Sequence, residues 1–106
     1  MGDGEAGGCG VEISGNVTIS VEILKNSQIP VPFVESDQKA ITIATAETLE
    51  QAANIAVKMM LNYLISCKKM NSDLAWQLIS TVSEVCICQF ANKLKTVRCE
   101  IPQKYL

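Results

Sequence analysis

The sequence predicts an α/β (α+β) domain: a mixed sheet of about four to five strands with two helices packed on one face. Three observations carry this. Val17–Leu24 and Ala40–Ala44 alternate or run apolar with β-branched enrichment, as strands do. Leu49, Ala52, Ala53, Ala56, Met60 and Leu64, then Leu74, Ala75, Leu78, Ile79 and Val82, recur at helical spacing. Val85–Phe90 and Thr96–Ile101 alternate about a polar turn at Asn92–Lys95, the pattern of a hairpin. A chain of 106 residues, 48% hydrophobic, has enough apolar content for one packed core.

Taken in order, residues 1–12 form an acidic, glycine-rich loop and residues 13–106 a single domain. Five glycines and three carboxylates fall within that loop, where glycine permits positive φ and close backbone approach. Carboxylates on such a loop hold cations or move protons; a loose polar terminus has the same composition. Ile13–Asn16 reads as a turn or bulge and Val17–Leu24 as the first strand, closed by Asn26-Ser27-Gln28. Pro30 and Pro32 exclude a central strand there, so Phe33–Glu35 is expected at a sheet edge. Ser36–Lys39 is a turn, and Ala40–Ala44 the next strand.

Thr48 with Gln51 fits a capping box, and Glu47 and Glu50 suit the positive end of a helix dipole. Lys68 and Lys69 suit the other end. Asn71 or Ser72 caps the second helix, with Asp73 in its first turn. Tyr63 and Trp76 are read as packing residues.

Composition excludes several chemistries. Histidine is absent, which removes Ser-His and Cys-His pairs and every His-containing zinc site within the chain. Net charge is −2, and no basic patch suggests nucleic acid. No stretch is long and apolar enough for a membrane helix, and no signal-peptide pattern opens the chain, so a cytoplasmic protein is expected. Met1-Gly2 begins like a myristoylation site, but Ala6 stands where Ser or Thr is needed. Five cysteines, an odd number without framework spacing, read as free thiols. Cys86 and Cys88 share a strand face on which Cys99 could join them, either as a thiolate site or, better, as small buried hydrophobes.

The string Gly2-Asp3-Gly4-Glu5, followed by Gly8 and Gly10-Val11-Glu12, resembles the acidic segment of the acetamidase/formamidase family. The resemblance continues through Ala52–Ala56, Asp73-Leu74-Ala75, Leu78-Ile79-Ser80, Ile87-Cys88-Gln89 and Glu100-Ile101-Pro102. It covers nearly the whole chain but only the C-terminal third or so of a typical member. It implies hydrolysis of a small linear amide to a carboxylate and ammonia, and a divalent metal ion of unknown identity in the full site. A metal there would polarise the carbonyl and acidify bound water. The resemblance places Asp3, Glu5 and Glu12 at the acidic metal-facing loop, with Glu5 as the acid/base and Asp3 supporting it. Glu12 either joins them or fixes the loop to the first strand. Gln89 either faces the substrate or ends a strand.

Family members carry an Asp-x-His element and a β-rich domain ahead of this segment. The isolated chain is therefore expected to lack amidase activity, and to work with a separate N-terminal subunit or as a homo-oligomer. The alternative is a non-catalytic α/β interaction or oligomerisation module derived from that family.

Overall fold

In the computed structural model, which describes residues 5–10 and 12–106, the elements run β1 (Phe33–Glu35), β2 (Lys39–Ala46), α1 (Leu49–Ser66), α2 (Ser72–Val82), β3 (Glu84–Gln89) and β4 (Lys95–Pro102). A 3-10 turn, Gln103–Tyr105, follows. The four strands form one sheet in the order β1-β2-β4-β3, and every neighbouring pair is antiparallel. This is the α+β arrangement expected, with the hairpin of β3 and β4 where the alternation put it, but the sheet is antiparallel rather than mixed. A single parallel contact, the bridge between Glu5 and Gln89, lies outside the named strands.

Alternation along the strands decides the two faces of the sheet. Ala40, Thr42 and Ala44 of β2 and Val97, Cys99 and Ile101 of β4 are buried, in cross-strand pairs Ala40–Ile101, Thr42–Cys99 and Ala44–Val97. Both helices pack over this side. α1 brings Ala52, Ala56, Met60, Tyr63 and Leu64 to it, the stripe predicted from spacing with Tyr63 added. Its alanines allow close approach: the Thr42 hydroxyl donates to the Ala56 carbonyl at 2.7 Å. Thr48 caps the helix by accepting from the Gln51 amide at 3.2 Å. Lys69, in the left-handed region at φ 59°, ends the turn beyond it, and its ammonium donates to the Ser66 carbonyl at 2.7 Å.

Asn71 caps α2 by accepting from Leu74 at 2.8 Å. Ala75 and Ile79 are its buried residues. Leu74 and Trp76, read from the sequence as packing positions, are instead exposed by 53% and 44%. A short helix of 11 residues covers only part of the sheet, so its outer positions meet no second layer.

The first predicted strand differs most. Residues 12–28 are all exposed and form no ladder. Val17, Ile19, Val21 and Ile23 show 77–87% of their surface. Alternation specifies which face of a strand is apolar; it does not supply a partner strand, and none of the described residues provides one. The arm enlarges the molecule: its radius of gyration is 15.1 Å, against about 13 Å expected for a compact chain of this length.

Candidate functional site

From Glu5 to Gly8 the acidic loop meets the sheet at the end of β3. Glu5, half-buried, bridges Gln89, the last residue of β3. Gly8 takes φ +69°, a conformation that side-chain-bearing residues rarely adopt, and sits beside Ala91. At the same point the β3–β4 register slips between Ile87 and Gln89. Such a bulge re-aims the strand locally and often borders a site. Two of the residues singled out from the sequence, Glu5 and Gln89, are thus neighbours. Glu12 is exposed at the start of the arm. Asp3 lies outside the described residues.

The face of the sheet opposite the helices carries an ionic row that sequence reasoning missed. Glu100, only 4% exposed, accepts from the Lys39 ammonium and from the Arg98 Nε. Glu84 adds a longer contact to Lys39, 3.4 Å. Arg98 Nη1 reaches Cys88 Sγ at 3.6 Å, one residue from Gln89. Burial alone would raise the Glu100 carboxyl; the hydrogen bonds from Lys39 and Arg98, with their charges, outweigh it and hold the group below the usual carboxylate range. Lys39 is pushed up, chiefly by its bond to Glu100. A signal was present in the sequence: Arg98 and Glu100 sit at the polar phase of an otherwise apolar strand, and Lys39 opens the strand beside it.

A second polar group gathers at the opposite edge. Glu35 accepts from the Tyr63 hydroxyl at 3.3 Å and from Gln103 Nε2 at 2.9 Å, with Lys68 at 4.0 Å. Burial, then the Glu35 charge, raises the Tyr63 phenol to about 12. Beside it a cleft of about 530 Å³ is lined by Leu24, Ile29, Val31 and Phe33, with Glu22 and Glu35. Because β1 and β3 are the two outer strands, this cleft is across the sheet from Glu5.

The cysteines do not converge. Cys99 pairs with Val85 under the helices, whereas Cys86 pairs with Arg98 on the other face. Burial lifts the Cys99 thiol to about 11, partly offset by a hydrogen bond with Ser83. Among the described residues no three Asp, Glu or Cys side chains come together as cation ligands.

No protein-family model matches the sequence, and no curated protein matches it. Solved structures do. An acetamidase from Bacillus halodurans is 33% identical with a TM-score of 0.71, over 76% of this chain and 28% of that one. A predicted acetamidase/formamidase from Thermoanaerobacter tengcongensis is 29% identical with a TM-score of 0.74, over 80% of this chain and 28% of that one. The resemblance read from the short motifs is therefore present in the fold, and the chain spans just over a quarter of the length of either neighbour.

Proposed function

We infer that this chain, similar in motif order and in fold to part of the acetamidase/formamidase structures, is the C-terminal portion of an amide hydrolase. Its reaction converts a small linear amide and water to a carboxylate and ammonia. Glu5 is the proton-handling group, taking a proton from the attacking water and returning it to the departing amine. Gln89, with a carbonyl acceptor and an NH₂ donor, is suited to hold the substrate amide beside it. Asp3 supports Glu5, and Glu12 anchors the loop at the base of the arm.

The observation that carries this reading is the Glu5–Gln89 bridge, in a fold that the two amidase structures share. It sets the acidic loop against the end of β3, and the ionic row of Lys39, Glu100 and Arg98 stiffens the strands behind it. The remainder of the site, including ligands for a divalent cation, belongs to polypeptide beyond this chain, either a separate N-terminal subunit or another part of the same enzyme.

Grafting provides the test. The chain alone is expected to release no ammonia from formamide or acetamide with zinc, calcium or manganese present. Substituted for the corresponding segment of the Bacillus halodurans acetamidase, it should give an active chimaera that Glu5→Gln silences. Turnover by the isolated chain, or a chimaera whose activity survives Glu5→Gln, would refute the assignment.

The second reading is a non-catalytic interaction or oligomerisation module. The exposed apolar arm favours it, since that surface suits a contact and has no part in amide chemistry.

A further inference from the structure

We propose that Cys86 and Cys88 form a peroxide-responsive dithiol, a modification site on β3 at which Cys88 is oxidised first and Cys86 then closes a disulfide to it. The proposal is independent of the amidase reading. The five cysteines are not equivalent. Cys9 lies in the glycine-rich loop, Cys67 follows α1, and Cys99 is buried under the helices. Cys86 and Cys88 share one strand, and both are partly exposed.

Register sets the two sulfurs on the same face. Cys86 pairs with Arg98 in the β3–β4 ladder, and Arg98 Nη1 donates to Cys88 Sγ at 3.6 Å. In a regular strand two residues advance about 6.6 Å, close to the upper limit of about 6.8 Å between the Cα atoms of a disulfide. β3 is not regular at this point. Ile87 faces Val97 and Gln89 faces Thr96, which leaves Cys88 as the extra residue between them. A bulge bends its strand, and the bend shortens the span from Cys86 to Cys88. β3 is also an outer strand, so drawing the two residues together disturbs one ladder rather than two.

The surroundings assign the order of events. Arg98 is itself held through Nε by Glu100, which fixes the guanidinium beside Cys88. A cation held next to a partly exposed sulfur is the setting in which a thiolate attacks peroxide. The Cys88 sulfur attacks one oxygen of hydrogen peroxide. The S–O bond forms as the O–O bond breaks, and the departing hydroxide leaves as water with the proton given up by the thiol. The Cys86 sulfur then attacks the sulfur of the Cys88 sulfenic acid. The S–S bond forms as the S–O bond breaks, and the second hydroxide leaves as water with the Cys86 proton. Two thiols are oxidised to one disulfide, and one peroxide is reduced to two waters.

Peptide mapping of the full chain tests the idea, in a Cys9→Ser background that removes the exposed thiol. The protein is treated with equimolar hydrogen peroxide at neutral pH. Trypsin releases both residues on one peptide, 70–93, which holds no other cysteine. That peptide should become two hydrogens lighter and resist iodoacetamide until reduced, with no covalent dimer on a non-reducing gel. Cys86→Ser should stop at the sulfenic acid, trapped by dimedone on Cys88. Cys88→Ser should give no dimedone adduct on Cys86. Both variants should keep the circular dichroism spectrum of the parent, because neither side chain is in the core. A 70–93 peptide left unmodified would overturn the proposal. So would a disulfide from it to Cys67 or to another chain, or dimedone trapped on Cys86 in the Cys88→Ser variant.

Discussion

Replacing Glu100 with Gln probes the ionic row most directly. The side chain is 5% exposed and accepts from both Lys39 and Arg98. Charge-assisted hydrogen bonds each contribute about 1.5–3 kcal/mol. Against that loss stands the carboxylate's own desolvation, several kcal/mol that the amide largely avoids. Lys39 keeps Glu84 and is 38% exposed, so water and a second carboxylate absorb its charge. Arg98 is 19% exposed and retains Cys88, so it bears most of the loss. The balance is about 1–2 kcal/mol, or roughly 5–15 °C in melting temperature for a domain of this size.

The pH dependence makes the reasoning sharper. The folded-state pKa of Glu100 lies below its ordinary value. Its contribution is therefore fully present above the unfolded carboxylate pKa, about 4.3, and disappears as pH falls through the lower folded value. Urea unfolding at several pH values between neutral and acid is the assay. Wild type and Glu100→Gln should differ by a constant amount near neutrality and converge in acid. A gap that stays constant into acid, or a variant as stable as wild type at pH 7, would refute the account.

Two further outcomes follow from burial. Leu64→Ala, at a fully buried position on α1, should cost about 2–5 kcal/mol by calorimetry, the range for a truncated leucine whose cavity closes only in part. Iodoacetamide at neutral pH should label exposed Cys9 first and leave Cys99 untouched until the chain unfolds, since that thiol is buried and raised to about 11; early labelling at Cys99 by peptide mass mapping would contradict its position under the helices.

What the sequence made legible was local. Thr48 and Asn71 announce their helices because a cap acts on amides two or three residues away. The hairpin of β3 and β4 declares itself through alternation on both sides of a polar turn. The missed features depend on distant chain segments. Val17–Leu24 has the side-chain pattern of a strand, yet pairing needs another backbone, and pattern carries no information about that. The polar phase of β4 marks Glu100, but its partner Lys39 lies 61 residues away, and nothing local announces that pairing. Cys99 and Cys86 fall on opposite faces because of register, which the sequence left open. At the site, the approach of Glu5 to Gln89 came from tertiary structure, although both residues stood out beforehand.

The sheet order has a consequence for synthesis. β4 is the last named strand to leave the ribosome, yet it occupies the interior of the sheet, holding β2 on one side and β3 on the other. Until Lys95–Pro102 emerges, β1 and β2 can form only a short hairpin, α1 has half a surface to pack on, and β3 has no neighbour. Closure of long-range pairs such as Ala40–Ile101 is entropically slow and late. Between the emergence of Ser66 and that of Pro102 the nascent chain therefore carries its apolar helix faces half uncovered, and a stall or truncation before residue 95 leaves a product suited to chaperone capture rather than a smaller stable domain.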